Sequence, residues 1–138
     1  MANVTSRLNP AIWPATARTE SKSGELSLGG ISATELMERF GTPVFILDET
    51  DFRARAVKFR SAVEKIFGPT AKVYYASKAF MSVEIASWIN ELELNIDVAS
   101  GGELAAALAS GIDASRIGVH GNNKSTREIA RAIAAGVG

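Results

Sequence analysis

The chain has no cysteine. That absence excludes disulfides, thiolate catalysis and cysteine-ligated metal sites, and it fits a reducing compartment. Nor is there an excess of either charge: 15 Lys and Arg balance 15 Asp and Glu, for a formal net charge of zero. A neutral chain gives no global electrostatic case for nucleic acid or an anionic membrane as partner, and a small neutral or zwitterionic ligand fits better. No apolar run approaches the roughly 18 residues of a membrane span. The opening "MANVTSRLNPAIWPATARTESKSGE" lacks the basic start and apolar stretch of a signal peptide, so the expectation is a soluble, cytoplasmic protein. Histidine occurs once, at His120, which leaves imidazole chemistry a single candidate.

What is present is a folding composition: 138 residues, 46% hydrophobic and 22% charged, suit one ordinary domain with a core. Residues Met1 to Glu25 are rich in Ser, Thr, Ala and Asn, hold two of the four prolines and show no sustained period. They read as an extended arm with Ile12 and Trp13 as docking points. A short helix is expected from about Ser32 to Phe40, with Ser32 as N-cap, Glu35 as its capping-box partner and Gly41 as the stop. "PVFILDE" reads as a strand that tolerates Pro43 at its first position. Residues 1–47 thus form an arm, a short helix and a strand, and residues 48–138 a second region.

In that second region Asp48 to Thr50 can cap a helix whose apolar positions Phe52, Ala56, Phe59, Val63 and Ile66 follow a 3.6-residue period, ended by Gly68-Pro69. Strand and helix then alternate. "KVYYA", "LNIDVA" and "RIGVH" read as strands about 22 residues apart, each followed by a helix. The last two helices open on Ser-x-x-Glu capping boxes, Ser100 with Glu103 and Ser125 with Glu128, and Gly111 and Gly136 mark their ends. Strands joined by helical crossovers run parallel, which suits a (β/α)8 barrel at least as well as a doubly wound sheet. Three complete βα units follow Lys72, whereas eight need on the order of 200 to 250 residues. A barrel reading therefore makes the chain a fragment, expected to be inactive by itself.

Ligand sites in parallel α/β folds lie beyond the carboxyl ends of the strands. Three groups fall there: "SKAF", the stretch from Asp97 to Glu103, and "HGNNKS". Lys78 in the first has two readings on the residues alone. It is a solvated loop lysine, or it is an amine that condenses with a carbonyl group and needs the partly desolvated, preorganised setting that the bulky residues before it can supply. Asp97 can be a helix-dipole charge or a site residue. Glu103 is explained by its capping box with Ser100, a role compatible with ligand contact. Asn122 and Asn123 suit a turn with left-handed backbone, Asn122 also a polar role at the rim, and Lys124 a solvated position near the helix start.

"YYASKAF", "DVASGGEL" and "GTPVFILDE" together resemble the fold-type III pyridoxal-phosphate decarboxylases. With "WPATARTESKSGELSLGGI", the chain is similar from arm to last residue to the N-terminal third of the diaminopimelate decarboxylase group of that family. The resemblance implies an α/β fold. It would be the N-terminal part of a (β/α)8 TIM-like barrel, about three βα units, preceded by an arm and strand that normally join a C-terminal β-domain. It also implies that Lys78 holds pyridoxal 5'-phosphate, with Asp97, Glu103 and Asn122 as further cofactor-site residues and no metal. The implied reaction is decarboxylation of meso-2,6-diaminopimelate to L-lysine and carbon dioxide, with the cofactor as electron sink.

The same resemblance implies a homodimer. It also puts the phosphate-binding loop, the pyridine-nitrogen partner, the cofactor-stacking histidine and the substrate-carboxylate arginines in later segments, which makes His120 a packing or supporting residue. Phe80 stands where many relatives carry asparagine, a variation in the packing around the cofactor. The rival expectations are another enzyme of the fold type, such as an ornithine or arginine decarboxylase or an alanine racemase, and a non-catalytic pyridoxal-phosphate-binding homologue.

Overall fold

A computed structural model describes residues 8–138. The chain divides into two compact units between Ala56 and Val57. In the first, β1 (Arg18–Thr19), β2 (Leu26–Leu28) and β3 (Ile31–Ser32) form an antiparallel meander. The β2–β3 hairpin closes through Gly29 and Gly30, whose φ values of 58° and 85° are the two left-handed positions of a type I′ turn. "LGGI", between the expected arm and the expected helix, is thus a hairpin signal that was passed over, and β1 falls inside residues 1–25, expected as an extended arm; the first seven of those residues lie outside the described ones.

The rest of that arm is held by polar contacts. Ala15 N–H donates to Asp51 Oδ1 at 2.8 Å, the Thr16 hydroxyl donates to Asp48, and Arg55 donates to the Trp13 carbonyl at 3.3 Å. Ile12, expected to dock, is 76% exposed.

Helix α1 (Ala33–Phe40) begins and ends as expected, Ser32 accepting from Glu35 N–H at 3.1 Å and Gly41 taking φ 76°. The Glu35 carboxylate pairs with Arg39 at 3.2 Å, one turn on, where a capping box would have turned it back to Ser32. The strand expected over "PVFILDE" does not form. Residues 43–48 join no ladder with any described strand, and Phe45 is 98% exposed. Composition supplies strand propensity, but a strand exists only through the backbone of a neighbour.

Helix α2 (Glu49–Phe67) forms with Asp48 as its cap, yet none of its residues is buried. Its apolar stripe is half-buried at Phe52, Ala56 and Val63 and exposed at Phe59 and Ile66, and ion pairs one turn apart support the helix, Arg53–Glu49 at 2.7 Å and Arg55–Asp51 at 2.6 Å.

The second unit carries the expected alternation: β4 (Tyr74–Ala76), α3 (Val83–Glu91), β5 (Asn95–Val98), α4 (Gly101–Ala109), β6 (Ile117–Val119) and α5 (Thr126–Ala135). The sheet is parallel in the order β4-β5-β6, with Ala76, Asp97 and Gly118 in register across it. Side chains alternate faces. Ile96, Val98 and Ile117 pack with Ile85, Ala86 and Ile89 of α3 and with Leu104 and Ala107 of α4, all at 2% exposure or less. The row of Ala76, Asp97 and Gly118 lies on the other face, free of helices, which in a closed barrel is the interior.

Candidate active site

Strand β4 ends at Ala76, and a single 3-10 turn, Ser77–Ala79, carries Lys78 beyond it. The turn is fixed on both sides of the lysine. Ser77 is buried to 1% exposure, and the Tyr75 hydroxyl donates to the Phe80 carbonyl at 2.7 Å, bridging the loop. Burial pushes the Tyr75 pKa up, against the opposing effect of that hydrogen bond. Lys78 itself is exposed, and its ammonium group makes no hydrogen bond or ion pair with the described residues. Tyr75 was not singled out in the sequence. Its signal is only a tyrosine in the strand, five residues before the carbonyl that it reaches.

Asp97 stands on β5 beside Ala76 of β4 and Gly118 of β6. Its Oδ1 lies 2.5 Å from His120 Nδ1, with His120 73% and Asp97 32% exposed at the side chain. A carboxylate only accepts, so Nδ1 carries the hydrogen between them and Nε2 is left outward. The imidazole folds back over Gly118: a methyl group there would meet His120 Cε1 at 3.6 Å and Tyr74 Cε1 at 3.4 Å. A β-branched residue would displace the ring. The structure therefore gives the single histidine a defined hydrogen-bond partner, Asp97, and leaves its ring largely exposed where packing was one of the expectations.

Glu103 completes its capping box and does more. Its Oε2 accepts from Ala99 N–H at 2.6 Å and Ser100 N–H at 3.0 Å, while Ser100 caps Glu103 N–H. Burial raises its pKa, but these amides and the Ser77 and Ser100 hydroxyls outweigh that effect and the net shift is downward. Ser77 Oγ forms no hydrogen bond of full geometry, so its part is that of a nearby dipole. Asn122 is exposed with no hydrogen bond to the described residues, and Asn123 adopts the expected left-handed backbone at φ 57°.

Two residues tie this loop cluster together in ways the sequence did not reveal. Lys124, expected in solvent, turns back across the mouth: its ammonium donates to the Ala99 carbonyl at 2.8 Å and to the His120 carbonyl. Gly121, at φ 116°, lets the chain make that turn, and a Cβ there would come within 3.1 Å of Lys124 Nζ. Glu128 closes the expected box with Ser125 through Oε2 and also accepts from Gly101 N–H through Oε1 at 2.9 Å. It thereby joins the start of α5 to the start of α4.

The bonds from Ser125, then that from Gly101, hold the Glu128 carboxyl down to about 2 from an ordinary 4.5. A lowered folded-state pKa stabilises the fold fully above 4.5, and the contribution is lost as pH falls toward 2. Glu128→Gln is therefore expected to be less stable than the parent at pH 7 and to lose less on acidification, the two converging near pH 2. Urea midpoints measured across that range check this, and parallel curves refute it.

A separate groove of about 430 Å³ runs between β6 and α5, lined by Val119, Ile129, Ile133 and Val137, with Lys124 as its one titratable residue. Among the described residues no group of three or more His, Cys, Asp or Glu is placed to hold a metal ion. No helix among them is long and apolar enough to cross a membrane.

A free amine at the mouth of one parallel strand and a carboxylate–imidazole pair at the ends of the next two gather polar groups at the carboxyl ends of a parallel α/β sheet, where ligand sites of such folds lie. Residues 50–138 match the family model described as pyridoxal-dependent decarboxylase, pyridoxal binding domain, and the chain belongs to that family. Its cofactor is pyridoxal 5'-phosphate.

The chain is 45% identical over 131 residues to the diaminopimelate decarboxylase of Mycobacterium tuberculosis, a match that covers 95% of this chain and 28% of that protein. It is 44% identical over 114 residues to the Bacillus subtilis diaminopimelate decarboxylase, covering 83% and 26%. Among solved structures, the M. jannaschii diaminopimelate decarboxylase in complex with L-lysine superposes with a TM-score of 0.78 at 31% identity, over 90% of this chain and 29% of the other. The chain therefore spans under a third of the length of these relatives, and its three βα units are the N-terminal part of their barrel.

Proposed function

We propose that this chain supplies the lysine-bearing part of a decarboxylase that converts meso-2,6-diaminopimelate to L-lysine and carbon dioxide, the last step of lysine biosynthesis. The activity belongs to a polypeptide that also carries the remaining barrel units, working as a cytoplasmic homodimer. The observation that carries the reading is the unpaired Lys78 amine on a fixed turn at the end of β4, one strand from Asp97.

These residues fit a pyridine aldehyde. An amine without a partner is available to form a covalent bond, and the helix-free face of the sheet offers room for a ring. Pyridoxal phosphate, when bound, supplies a conjugated system that takes up the electron pair left by the departing carboxylate. Lys78 Nζ would hold it and can carry a proton near the reacting carbon. Asp97, oriented by His120 Nδ1, stands on the neighbouring strand in register with Ala76, two residues before the lysine. Glu103 acts on the site through the backbone of Ala99 and Ser100, and Asn122 lies free to contact ligand at the rim.

The test is carbon dioxide release by the complete holoenzyme from meso-diaminopimelate, ornithine and arginine. Preference for the first is expected, and preference for either of the others overturns the substrate assignment.

A further inference from the structure

The carboxyl ends of β5 and β6 part company at the site. Their last backbone bond runs from His120 N–H to the Val98 carbonyl at 2.9 Å. Beyond it, the Ala99 and His120 carbonyls face a gap with only acceptors to offer, and two carbonyls cannot bond to each other. Lys124 fills the gap with an ammonium that donates to both. The cation extends the strand pairing by one rung at the point where the backbone no longer can.

What this rung holds is the Asp97–His120 pair. His120 keeps its imidazole 2.5 Å from Asp97 only while its own backbone stays beside β5. Ala99, at the other end of the rung, is anchored by Glu103, and Gly101 by Glu128. The β5 side of the gap is therefore fixed without Lys124, whereas the backbone from His120 to Lys124 is tied to β5 by the Val98 bond and by Lys124 itself, the next tie being Glu128 on α5. We infer that Lys124 is a positioning residue for the decarboxylase site, acting on Asp97 through His120 by clamping the ends of β5 and β6. This rests on the reading of Lys78 and Asp97 given above.

The test is a double-mutant cycle in the complete holoenzyme, with wild type, Lys124→Met, His120→Ala and the double variant compared for kcat, KM and borohydride fixation of the cofactor on Lys78. Lys124→Met is expected to lower kcat about tenfold, since sub-ångström misplacement of a site group is enough for that. KM should stay within about twofold and fixation on Lys78 should be unchanged. In the His120→Ala background the same substitution should cost less than about threefold, because the route through His120 is already cut.

Equal losses in both backgrounds, or an unchanged kcat in Lys124→Met, overturn the inference. Should Lys124→Met yield no folded holoenzyme, Lys124→Gln, which keeps one donor group, is read in the same cycle by the same criteria. Failure of borohydride to fix the cofactor on Lys78 in the wild type overturns the reading of the site and this inference with it. Fixation together with independent losses overturns this inference alone.

Discussion

Replacing Lys78 by alanine is expected to abolish the visible absorbance of the bound cofactor in the complete enzyme and to lower decarboxylation by at least about a thousandfold, as removal of a covalent catalytic group does. The distinguishing variant is Lys78→Arg. Arginine keeps the positive charge and the reach, but its guanidinium is always protonated and does not condense with an aldehyde. If Lys78 served as a counter-ion, arginine would preserve much of the activity; if it serves as the covalent anchor, arginine and alanine fail alike. Lys72, exposed and two residues before the start of β4, is the control, and Lys72→Ala should keep both absorbance and rate. Retained absorbance in Lys78→Arg, or borohydride fixation on another lysine, would sink the assignment.

How far the sequence showed this site follows from the range of the interactions involved. Capping is local, so Ser100 with Glu103 and Ser125 with Glu128 were legible as four-residue patterns, and both boxes are formed. The βα alternation was legible because each strand and helix has its own period, and parallel pairing follows from the helical crossovers. Contacts that close between units leave no such trace. Nothing in "GNNKS" says that the lysine turns back 25 residues to Ala99, or that Glu128 reaches Gly101 27 residues away while still serving its own cap.

The errors have the same origin. "PVFILDE" has the composition of a strand, but a ladder needs a partner, and no described strand supplies one. The β2–β3 hairpin is different. Its Gly-Gly turn is a local signal, legible in the four residues of "LGGI" and passed over between the arm and the helix.

The loop after β5 shows why the site needs its surroundings. Ala99 N–H and Ser100 N–H go to Glu103, the Ala99 carbonyl to Lys124, and Gly101 N–H to Glu128. Backbone groups at a strand end have no ladder partners of their own, and water would otherwise compete for them. Three charged side chains take them instead, from α4 and from the β6–α5 segment. Asp97, two residues before this loop, inherits a fixed position from contacts that it does not itself make.

The largest stability effect is expected at Ile96. It sits at the middle strand of the sheet, between Tyr75 of β4 and Ile117 of β6, with 0% of its surface exposed. Helices α3 and α4 wall it in on the buried face, so truncation leaves a cavity that a three-stranded sheet held by two helices is poorly able to close. Ile96→Ala is expected to cost about 3 kcal/mol, and Ile96→Val, which removes one methylene, about 1 kcal/mol. Ile129→Ala on α5 removes the same atoms from a side chain that is 47% exposed and should cost less than about 1 kcal/mol.

The measurement is the urea midpoint followed by Trp88, which is 7% exposed on α3 in the same unit, in a Trp13→Phe background that removes the other indole. Since total stabilities run about 5–15 kcal/mol, the loss at Ile96 is a large fraction of the whole. Asp97 is the next residue on the strand, so the same substitution should loosen the site before it unfolds the protein, visible as weaker cofactor retention at urea concentrations below the Trp88 transition. Equal midpoints for Ile96→Ala and Ile129→Ala would show that the β5 row is not the centre of the core.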